Sequence, residues 1–432
     1  CRAWYDSRLS RNSPYSEKSL LLMQTPELTK YGPRAWLPII GLAFAAFVFN
    51  TSEFLPVGLL PDIACSLNET VPFTGLILTG YAFVVAVMSL PLTVLTAKIE
   101  RRKLLLALLI IFSCCHFVVL WVQSFEALLA ARVGVALAHS VFWSIMTPLA
   151  ARVAPHGRRA LGLACVMGGT IVATVLGVPI GTNLGHYFGW QEAFCIIGIA
   201  SMTVFCIIFL TLPECRSSKA GSFASLPVIL RRPALLQLYA LTVITVLGQY
   251  TVYSYISPIL SAAGGFSEGD IVTMLFVFGI AGIAGTVIGS KTVERYKNAS
   301  LAAPLMIIAA CLFLLVPACA NYAGLAVLIF VWGAAVTIVC LAFQTLLLSV
   351  ASDAADVATS LYSGIFNVGI GGGAFIGSRV SEHFGFLPVS FVGAMLVCAS
   401  LLMVSVIWIK TGSAVLKSGL EKTDEDDFSR TK

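Results

Sequence analysis

Four ionisable side chains lie well inside apolar stretches of the sequence: Glu53, His116, Arg132 and His139. A charged group at the centre of a bilayer costs at least about 2.5 to 3.5 kcal/mol unless it is paired or hydrated, so such residues point to function. Burial favours the neutral form of a carboxyl group, and a nearby cation favours the charged form. We therefore predict that Glu53 carries protons and that Arg132 and His139 set its proton affinity. The alternative is a static polar contact that holds two helices together, and for His116 we expect a packing role.

Arg132, Ala136, His139 and Trp143 follow one another at helical spacing and form a single stripe. A face that combines a cation, an imidazole and an indole is poorly suited to lipid, so we expect it to face a central cavity. The alternatives are a helix-end anchor for Arg132 and a hydrogen-bonded packing role for His139. Asn50 lies one turn before Glu53, on the same helix face.

The composition places these residues in a membrane. Of the 432 residues 58% are hydrophobic and 11% are charged, whereas soluble domains carry about 25% charged residues. The mean hydropathy is +0.92. Twelve apolar segments reach the roughly 20 residues that span a bilayer. The sequence therefore predicts an all-α membrane protein with twelve transmembrane helices.

The basic residues of the loops predict the orientation of these helices. Fourteen Lys and Arg residues fall in loops on the side of the chain termini, and Arg379 alone falls on the other side. Because cytoplasmic loops carry the excess of positive charge, we expect a multi-pass protein with both termini in the cytoplasm. We read residues 1–33 and 411–432 as polar cytoplasmic tails, and we expect residues 1–22, before Met23, to be translated upstream sequence.

A polar segment, residues 213–233, divides the apolar segments six and six. A shift of 196 residues then superposes Gly168, Gly177, Gly181, Phe188 and Gly189 on identical residues of the second half. A parallel repeat of this kind is typical of a two-bundle transporter whose site lies between the halves. The sequence thus predicts six-helix bundles over residues 34–212 and 234–410, joined by a cytoplasmic linker.

The same frame predicts a division of labour between the bundles. Glu53, Arg132 and His139 align with Gln249, Leu328 and Ala335, so proton chemistry belongs to the first bundle. Amides and phenols recognise hydroxyl groups, and aromatic faces cover the apolar side of a sugar ring. The predicted substrate-binding residues are Asn50, Trp143, Gln249, Tyr250, Tyr253, Gln344, Tyr362 and Asn367. The alternative for the tyrosines is an interfacial aromatic belt.

Small residues at fourfold spacing form three stripes that permit close helix contact. The stripes are Gly177, Gly181 and Gly185; Ala281, Gly285 and Gly289; and Gly369, Gly373 and Gly377. Static packing is one interpretation, and smooth surfaces for two bundles that rock is the other. Pro179 removes a backbone hydrogen bond and is expected to bend the fifth helix.

The residues 176–181, LGVPIG, with Gly185, resemble the fifth-helix motif of the twelve-span drug:proton antiporter branch of the major facilitator superfamily. Arg132-Val133-Gly134 is similar to the arginine motif of that superfamily. The loop motif after the second helix is eroded, since its acidic position is Ala97 and its glycine position is Glu100. That erosion puts the gating role of this loop in doubt.

Residues 49–54, FNTSEF, with 139–144, HSVFWS, and 363–367, SGIFN, resemble the bacterial sugar efflux transporters. The resemblance runs from about Trp36 to Ile409. It implies the two-bundle fold of the superfamily and export of sugars or similar small polar solutes across the bacterial inner membrane. The energy would come from the proton gradient, with no cofactor.

Three further readings compete with sugar export. A proton-coupled exporter of amphipathic drugs or nucleosides is favoured if the site is more aromatic than polar. A membrane enzyme would need a nucleophile or a metal constellation, and the sequence offers neither. A membrane sensor would carry a sizeable soluble output domain, which the short tails do not provide. We expect a monomer whose partners are the solute, protons and lipid, with no metal and no nucleic acid.

Overall fold

The computed structural model describes residues 36–155, 159–215, 231–293, 295–296, 299–351 and 355–411. The tail predicted for residues 1–33, all but the first residue of the tail predicted for residues 411–432, and most of the predicted linker lie outside these ranges. Throughout the described part the chain folds into helices, without strands. We number the long helices α1 to α12 in chain order.

The helices of the first half are α1 (Leu37–Ser66), α2 (Leu76–Leu95), α3 (Arg101–Val118), α4 (Phe125–Val153), α5 (Arg159–Val172, a π turn Ala173–Gly177, and Val178–Phe188) and α6 (Trp190–Thr211). Those of the second half are α7 (Pro233–Tyr253 with the half-helix Ile256–Gly264), α8 (Glu268–Thr292), α9 (Ala299–Ala318), α10 (Tyr322–Val350), α11 (Ala355–Phe384) and α12 (Leu387–Thr411). One-turn helices, Val71–Thr74 and Val119–Trp121, precede α2 and follow α3.

Eleven of the described helices are long and apolar enough to cross a membrane. The exception is α11, which has 30 residues but is rich in Gly and Ser and carries Arg379 and Glu382 near its end. Its length still exceeds the roughly 20 residues that a bilayer requires. The prediction of an all-α membrane protein with twelve spans is therefore confirmed.

The helices divide into two bundles. In the first, α1 packs on α5 and α6, α2 on α4, and α3 on α4 and α6. In the second, α7 packs on α11 and α12, α8 on α10, and α9 on α10 and α12. The main contacts between the bundles join α2 to α11, α5 to α8, and α1 to the half-helix after α7.

The bundles meet at the face opposite the start of α1 and the end of α12, which we call the closed face. There the Ser378 hydroxyl of α11 donates a hydrogen bond to the Pro72 carbonyl at 2.8 Å, and the Tyr255 hydroxyl donates to the same carbonyl at 3.4 Å. Nearer the middle of the molecule, Gly371 of α11 lies against Thr79 and Ala82 of α2. The arrangement is that of a two-bundle molecule sealed at one face.

The first glycine stripe has its partner within its own bundle. A side chain at Gly177, Gly181 or Gly185 would run into Thr51, Leu55 or Leu59 of α1. The other two stripes lie likewise against α10 and α7 of the second bundle. These stripes therefore bring helices together inside each bundle, and the interpretation that they form the surfaces between rocking bundles is wrong.

A different glycine mediates the contact between α5 and α8. A Cβ atom on Gly279 would lie 2.5 Å from the Cα atom of Val175 and 2.7 Å from the Thr174 carbonyl oxygen. Thr174 and Val175 belong to the π turn that immediately precedes Pro179. Helices kink at proline and at π turns, so the irregular part of α5 next to Pro179 falls where the two bundles touch.

Candidate functional site

Glu53 and His139 lie side by side inside the first bundle. The Nε2 atom of His139 on α4 is 3.7 Å from Oε2 of Glu53 on α1, and their side chains are 2% and 8% exposed. Proline at the first turn of α1 and the side-chain cap of Ser124 on α4 fix where these two helices begin. The structure thus brings together two of the three residues predicted for proton coupling, while their role stays a prediction.

The Tyr81 hydroxyl of α2 is hydrogen-bonded to the His139 ring. This bond bears on which ring nitrogen of His139 carries the hydrogen. The hydroxyl lies 2.7 Å from Nδ1 of His139. When the phenol donates to Nδ1, the ring hydrogen resides on Nε2 and points to the Glu53 carboxylate. This tautomer satisfies both contacts when Glu53 is ionised. The three side chains therefore lie in a row, with Tyr81 hydrogen-bonded to His139 and His139 beside Glu53.

Arg132 contacts the backbone beside Glu53. Its Nη1 donates to the Ser52 carbonyl at 3.0 Å and to the Ser52 hydroxyl at 3.3 Å, and its Nη2 donates to the Glu53 carbonyl at 3.4 Å. The guanidinium carbon is 4.4 Å from the Tyr81 ring centroid, within cation–π range. Arg132 therefore fixes α1 and places positive charge near the carboxylate without forming an ion pair with it.

The stripe on α4 does not face an open cavity as predicted. Arg132, Ala136 and His139 are 1%, 0% and 2% exposed, and only Trp143 is half-buried. Arg132 lies between Tyr81 of α2 and the backbone of α1, so the stripe faces neighbouring helices of its own bundle. The reason is that α1 supplies hydrogen-bond acceptors and α2 supplies an aromatic face. These contacts stabilise the polar groups in place of water.

His116 belongs to the polar network, which the sequence did not indicate. Its Nδ1 donates to the Phe112 carbonyl at 2.8 Å, so its Nε2, 2.8 Å from the Ser52 hydroxyl, is the acceptor. The same hydroxyl accepts from Arg132. The imidazole of His116 also stacks on the Phe112 ring, with centroids 4.2 Å apart. A neutral imidazole that makes these two hydrogen bonds keeps the Ser52 hydroxyl oriented towards Arg132.

In the second bundle the predicted substrate residues Gln249 and Tyr253 contact protein partners. The Gln249 amide oxygen accepts a hydrogen bond from the Trp332 indole at 2.6 Å. The Tyr253 ring lies 4.9 Å from that of Phe278 and is 6% exposed. The expectation of a free acceptor at Gln249 therefore needs correction, because the Trp332 indole takes its oxygen, whereas solute contact by Tyr253 stays a prediction.

Tyr250 lies between the bundles. Its ring is 5.9 Å from that of Phe54 on α1 and 6.4 Å from that of Phe366 on α11. Asn50 and Asn367 flank these rings in sequence, and both are 6% exposed. The Asn50 amide nitrogen and the Asn367 amide oxygen have no hydrogen-bond partner in the described structure. Buried amide groups without a partner are costly, so this region has unused capacity to bind a polar ligand.

The remaining predicted substrate residues are spread more widely. Trp143 lies 6.2 Å from the His139 ring, centroid to centroid, and is half-buried. Tyr362 is buried one turn from Phe366, with ring centroids 6.0 Å apart. Gln344 is exposed on α10. Trp143 therefore lies beside the Glu53 pair, and Tyr362 lies beside the Tyr250 region.

Three residues that contribute to these sites were missed by sequence reasoning: Ser52, Tyr81 and Trp332. Ser52 precedes Glu53 directly, and a hydroxyl next to an intramembrane carboxylate is a signal that could have been used. Tyr81 and Trp332 are single aromatic residues in apolar segments, where the sequence does not separate packing from hydrogen bonding.

A carboxylate caps the turn between α2 and α3. Glu100, at the glycine position of the eroded loop motif, accepts hydrogen bonds from the backbone N–H groups of Arg102, Lys103 and Cys215. Desolvation pushes the pKa of Glu100 upwards, but these three bonds and the Lys103 charge outweigh it and hold the pKa below its usual value. The turn is therefore fastened to the segment that follows α6, within its own bundle.

Among the described residues no group of three His, Cys, Asp or Glu side chains is arranged to hold a metal ion. The prediction that the protein uses neither metal nor cofactor stays a prediction. The polar groups of the site are a carboxylate, two imidazoles, a guanidinium and hydroxyls, and hydrogen bonds link Ser52 to His116 and Arg132, and Tyr81 to His139.

Comparison with known proteins identifies the class to which this fold and site belong. Residues 42–378 match the family model of the Major Facilitator Superfamily. The match covers most of the chain, so this chain belongs to the major facilitator superfamily, and it is a multi-pass membrane transporter.

Two solved structures share the fold. One is a bacterial homolog of the human lysosomal transporter Spinster, in an inward-facing and unoccupied conformation. It is 15% identical, with a TM-score of 0.65, and the match covers 90% of this chain and 98% of that one. The other is the human organic anion transporter MFSD10 (TETRAN), 17% identical with a TM-score of 0.61, over 86% of this chain and 100% of that one. At these identities the likeness concerns the fold alone.

Proposed function

We propose that this transporter exports small sugar-like solutes across the bacterial cytoplasmic membrane in exchange for protons. The single observation that carries the proposal is the buried contact of Glu53 with His139, whose other ring nitrogen is hydrogen-bonded to Tyr81. A carboxylate with an imidazole at 3.7 Å can alternate between a protonated and an ionised state without leaving the bundle. The positions that correspond to Glu53 and His139 in the repeat, Gln249 and Ala335, cannot titrate.

The proposed cycle uses the two bundles as rocking units around the region of Tyr250. With both termini in the cytoplasm, the closed face is the outer face, so the described state receives solute from the cytoplasm. Rocking then opens the closed face, releases the solute and exposes Glu53 to outside protons. Protonation neutralises Glu53 and permits return. Arg132, fixed to the backbone of α1, favours the ionised carboxylate and so promotes proton release inside.

The proposed solute site has an aromatic surface and two amide groups, each with one atom that has no hydrogen-bond partner in the described structure. Tyr250, Phe54 and Phe366 supply ring faces that suit the apolar side of a sugar ring. Asn50 and Asn367 supply a donor and an acceptor for hydroxyl groups. The protein needs no cofactor in this proposal, acts as a monomer, and belongs to the sugar efflux branch of the drug:proton antiporters.

Uptake into inverted membrane vesicles tests the proposal, because export then appears as accumulation. A panel of radiolabelled sugars is offered with and without an acid-inside gradient, and Glu53→Gln vesicles serve as the control. We expect accumulation of at least one sugar that depends on the gradient and on Glu53. A panel in which no sugar accumulates above the Glu53→Gln level would contradict sugar export.

Export of amphipathic drugs or nucleosides is the second candidate, and one observation favours it. The Gln249 amide oxygen is occupied by Trp332, which leaves aromatic rings as the larger part of the surface near Tyr250. Exchange of one proton for one neutral sugar moves net charge, worth about 2.3 kcal/mol per 100 mV. Exchange for a monovalent cationic drug is electroneutral. Flux in vesicles clamped with potassium and valinomycin therefore separates export of a neutral sugar from export of a cationic drug.

A further inference from the structure

His186 lies at the closed face between two carboxylates that belong to different bundles. Its Nε2 is 3.4 Å from Oδ2 of Asp62, near the end of α1, and its Nδ1 is 3.6 Å from Oε2 of Glu268, the first residue of α8. The His186 side chain is 9% exposed, whereas those of Asp62 and Glu268 are 34% and 67% exposed. The imidazole is thus the sheltered centre of a three-residue cluster whose outer members reach water.

The placement of one carboxylate near each ring nitrogen favours a positively charged ring. A neutral imidazole has one N–H group, so it can donate to one carboxylate while its lone pair faces the other. The protonated ring has two N–H groups and a positive charge, and it favours both contacts. The geometry is therefore that of a site that is complete when a proton is bound.

The contacts also make proton binding dependent on the conformation. His186 and Asp62 belong to the first bundle and Glu268 to the second, so separation of the bundles removes one of the two carboxylates from the ring. Asp62 of α1 and Glu268 of α8 are the charged groups that face the ring, and within the described part of the chain no other side chain forms an ion pair with it. The α6 helix, which also packs on α5, contributes no ion pair to His186.

We propose that His186, Asp62 and Glu268 form a second proton-binding site whose occupancy stabilises the closed face. Asp62 follows Glu53 by nine residues on α1, about 13 Å along the helix axis, so the two sites are distinct. Because linkage is reciprocal, a proton that binds more tightly to the closed state shifts the population towards that state by the same factor. Through this cluster, pH acts on the contact between the bundles at the closed face.

The consequence for transport rests on the proposed antiport and on the predicted topology. If the closed face is the outer face, an acidic exterior protonates His186 and favours return from the outward-open to the outward-closed state. External protons would then act at two places. At Glu53 they would neutralise the carboxylate, and at His186 they would favour the outward-closed state. The proton-binding site itself is independent of which solute is carried.

The test measures closure directly. Fluorophores are attached through unnatural amino acids at Gln123 and Ala262, which are exposed near the closed face on the first and second bundles. Single-molecule energy transfer in lipid nanodiscs, between about pH 5.5 and about pH 8, spans the ordinary titration range of histidine. We expect the closed-to-open ratio of the wild-type protein to fall about tenfold as pH rises, as for one proton bound tenfold more tightly when closed.

Variants assign this effect to the cluster. In His186→Gln, which cannot carry the charge, we expect less than about a twofold change over the same range. In His186→Lys, a permanent cation, we expect closure at both pH values. Glu268→Gln removes one carboxylate and should reduce the pH effect. The matched control is His383→Gln, since His383 lies near the same face but its Nδ1 contacts the Arg379 carbonyl of its own helix.

Three results would overturn the proposal: a wild-type ratio that does not change with pH, a His186→Gln protein that keeps the wild-type pH response, or an equal loss of response in His383→Gln. The readout needs no transported solute, so it remains decisive if the sugar panel fails. Conversely, sugar flux with a pH-independent closed face would refute this site and leave the proposed function intact.

Discussion

The Nε2 atom of His139 and the Oε2 atom of Glu53 are 3.7 Å apart across the interface of α4 and α1, with both side chains buried. The nearest guanidinium, that of Arg132, is bonded to backbone carbonyls of α1. The carboxylate is therefore left with an imidazole as its titratable partner, in place of a permanent cation. A carboxyl group in this setting can be neutralised by protonation at a moderate cost, which is the property expected of a proton carrier.

Replacement of Glu53 by Gln should abolish transport driven by a pH gradient while the protein remains folded. Glutamine keeps the size and hydrogen-bonding capacity of the protonated acid but cannot release a proton. The measurement is gradient-driven flux in vesicles, with thermal unfolding in detergent as the check on folding. Glu69→Gln is the matched control, because Glu69 is an exposed carboxylate between α1 and α2. Wild-type gradient-driven flux in Glu53→Gln would contradict the assignment of Glu53 as the proton carrier.

The Ser52 hydroxyl should contribute to stability through its bonds to His116 and Arg132. Ser52→Ala leaves a buried imidazole nitrogen without its donor, and we expect a loss of about 1 to 3 kcal/mol. Ser113→Ala is the control, since that hydroxyl is equally buried but has no hydrogen-bond partner. Unfolding in detergent compares the two variants. Equal stabilities of Ser52→Ala and Ser113→Ala would show that the network contributes nothing.

Gln249 and Tyr250 should differ in what their replacement changes. Gln249→Ala deprives the Trp332 indole of its acceptor, so we expect mainly a lower melting temperature. Tyr250→Ala and Asn367→Ala should instead weaken solute binding, by about 1 kcal/mol per lost hydrogen bond for Asn367. The control is Tyr187→Ala, because Tyr187 is 79% exposed. Unchanged affinity in both Tyr250→Ala and Asn367→Ala would move the solute site elsewhere.

Gly279 should control how closely the bundles approach. In Gly279→Ala the new methyl group meets the backbone of Val175 and Thr174, which cannot rotate away as a side chain can. We expect the energy transfer between Gln123 and Ala262 to report a larger open fraction. Gly168→Ala on α5 is the control, because nothing lies within 4 Å of its Cβ position. That variant should be as closed as the wild-type protein, with stability raised by about 0.5 to 1 kcal/mol. Identical open fractions in both variants would exclude Gly279 as the contact that limits approach.

The Glu100 contact should respond to acid. Its pKa lies below the value of 4.5 expected in an unfolded chain. The group therefore adds stability that is fully present above pH 4.5 and is lost as pH falls through the lower folded value. Hydrogen exchange of the Arg102 and Lys103 amides should accelerate in that window, beyond the intrinsic effect of pH. Glu100→Ala should remove this acid-dependent step and cost about 1 kcal/mol as a lost helix cap. A wild-type acid response that persists in Glu100→Ala would contradict this origin.

Several features follow from the sequence because they depend on the order of residues alone. Apolar length specifies the spans, and a repeat frame of 196 residues predicts two halves. The cost of burying charge singles out Glu53, Arg132 and His139 before any contact is known. Helical spacing also predicts that the stripe containing Gly177, Gly181 and Gly185 is a contact surface, and the structure confirms the close contact.

The tertiary structure decided which groups meet, because contacts between residues far apart in the chain depend on how whole helices pack. Sequence spacing could not say that Arg132 bonds to the backbone of α1, that His116 joins the network through Ser52, or that Trp332 takes the Gln249 oxygen. It could not bring His186 between Asp62 and Glu268, which stand 124 and 82 positions away in the chain. A polar side chain in an apolar environment takes whichever partner the neighbouring helix presents, and the crossing of α1, α5 and α8 alone determines that partner.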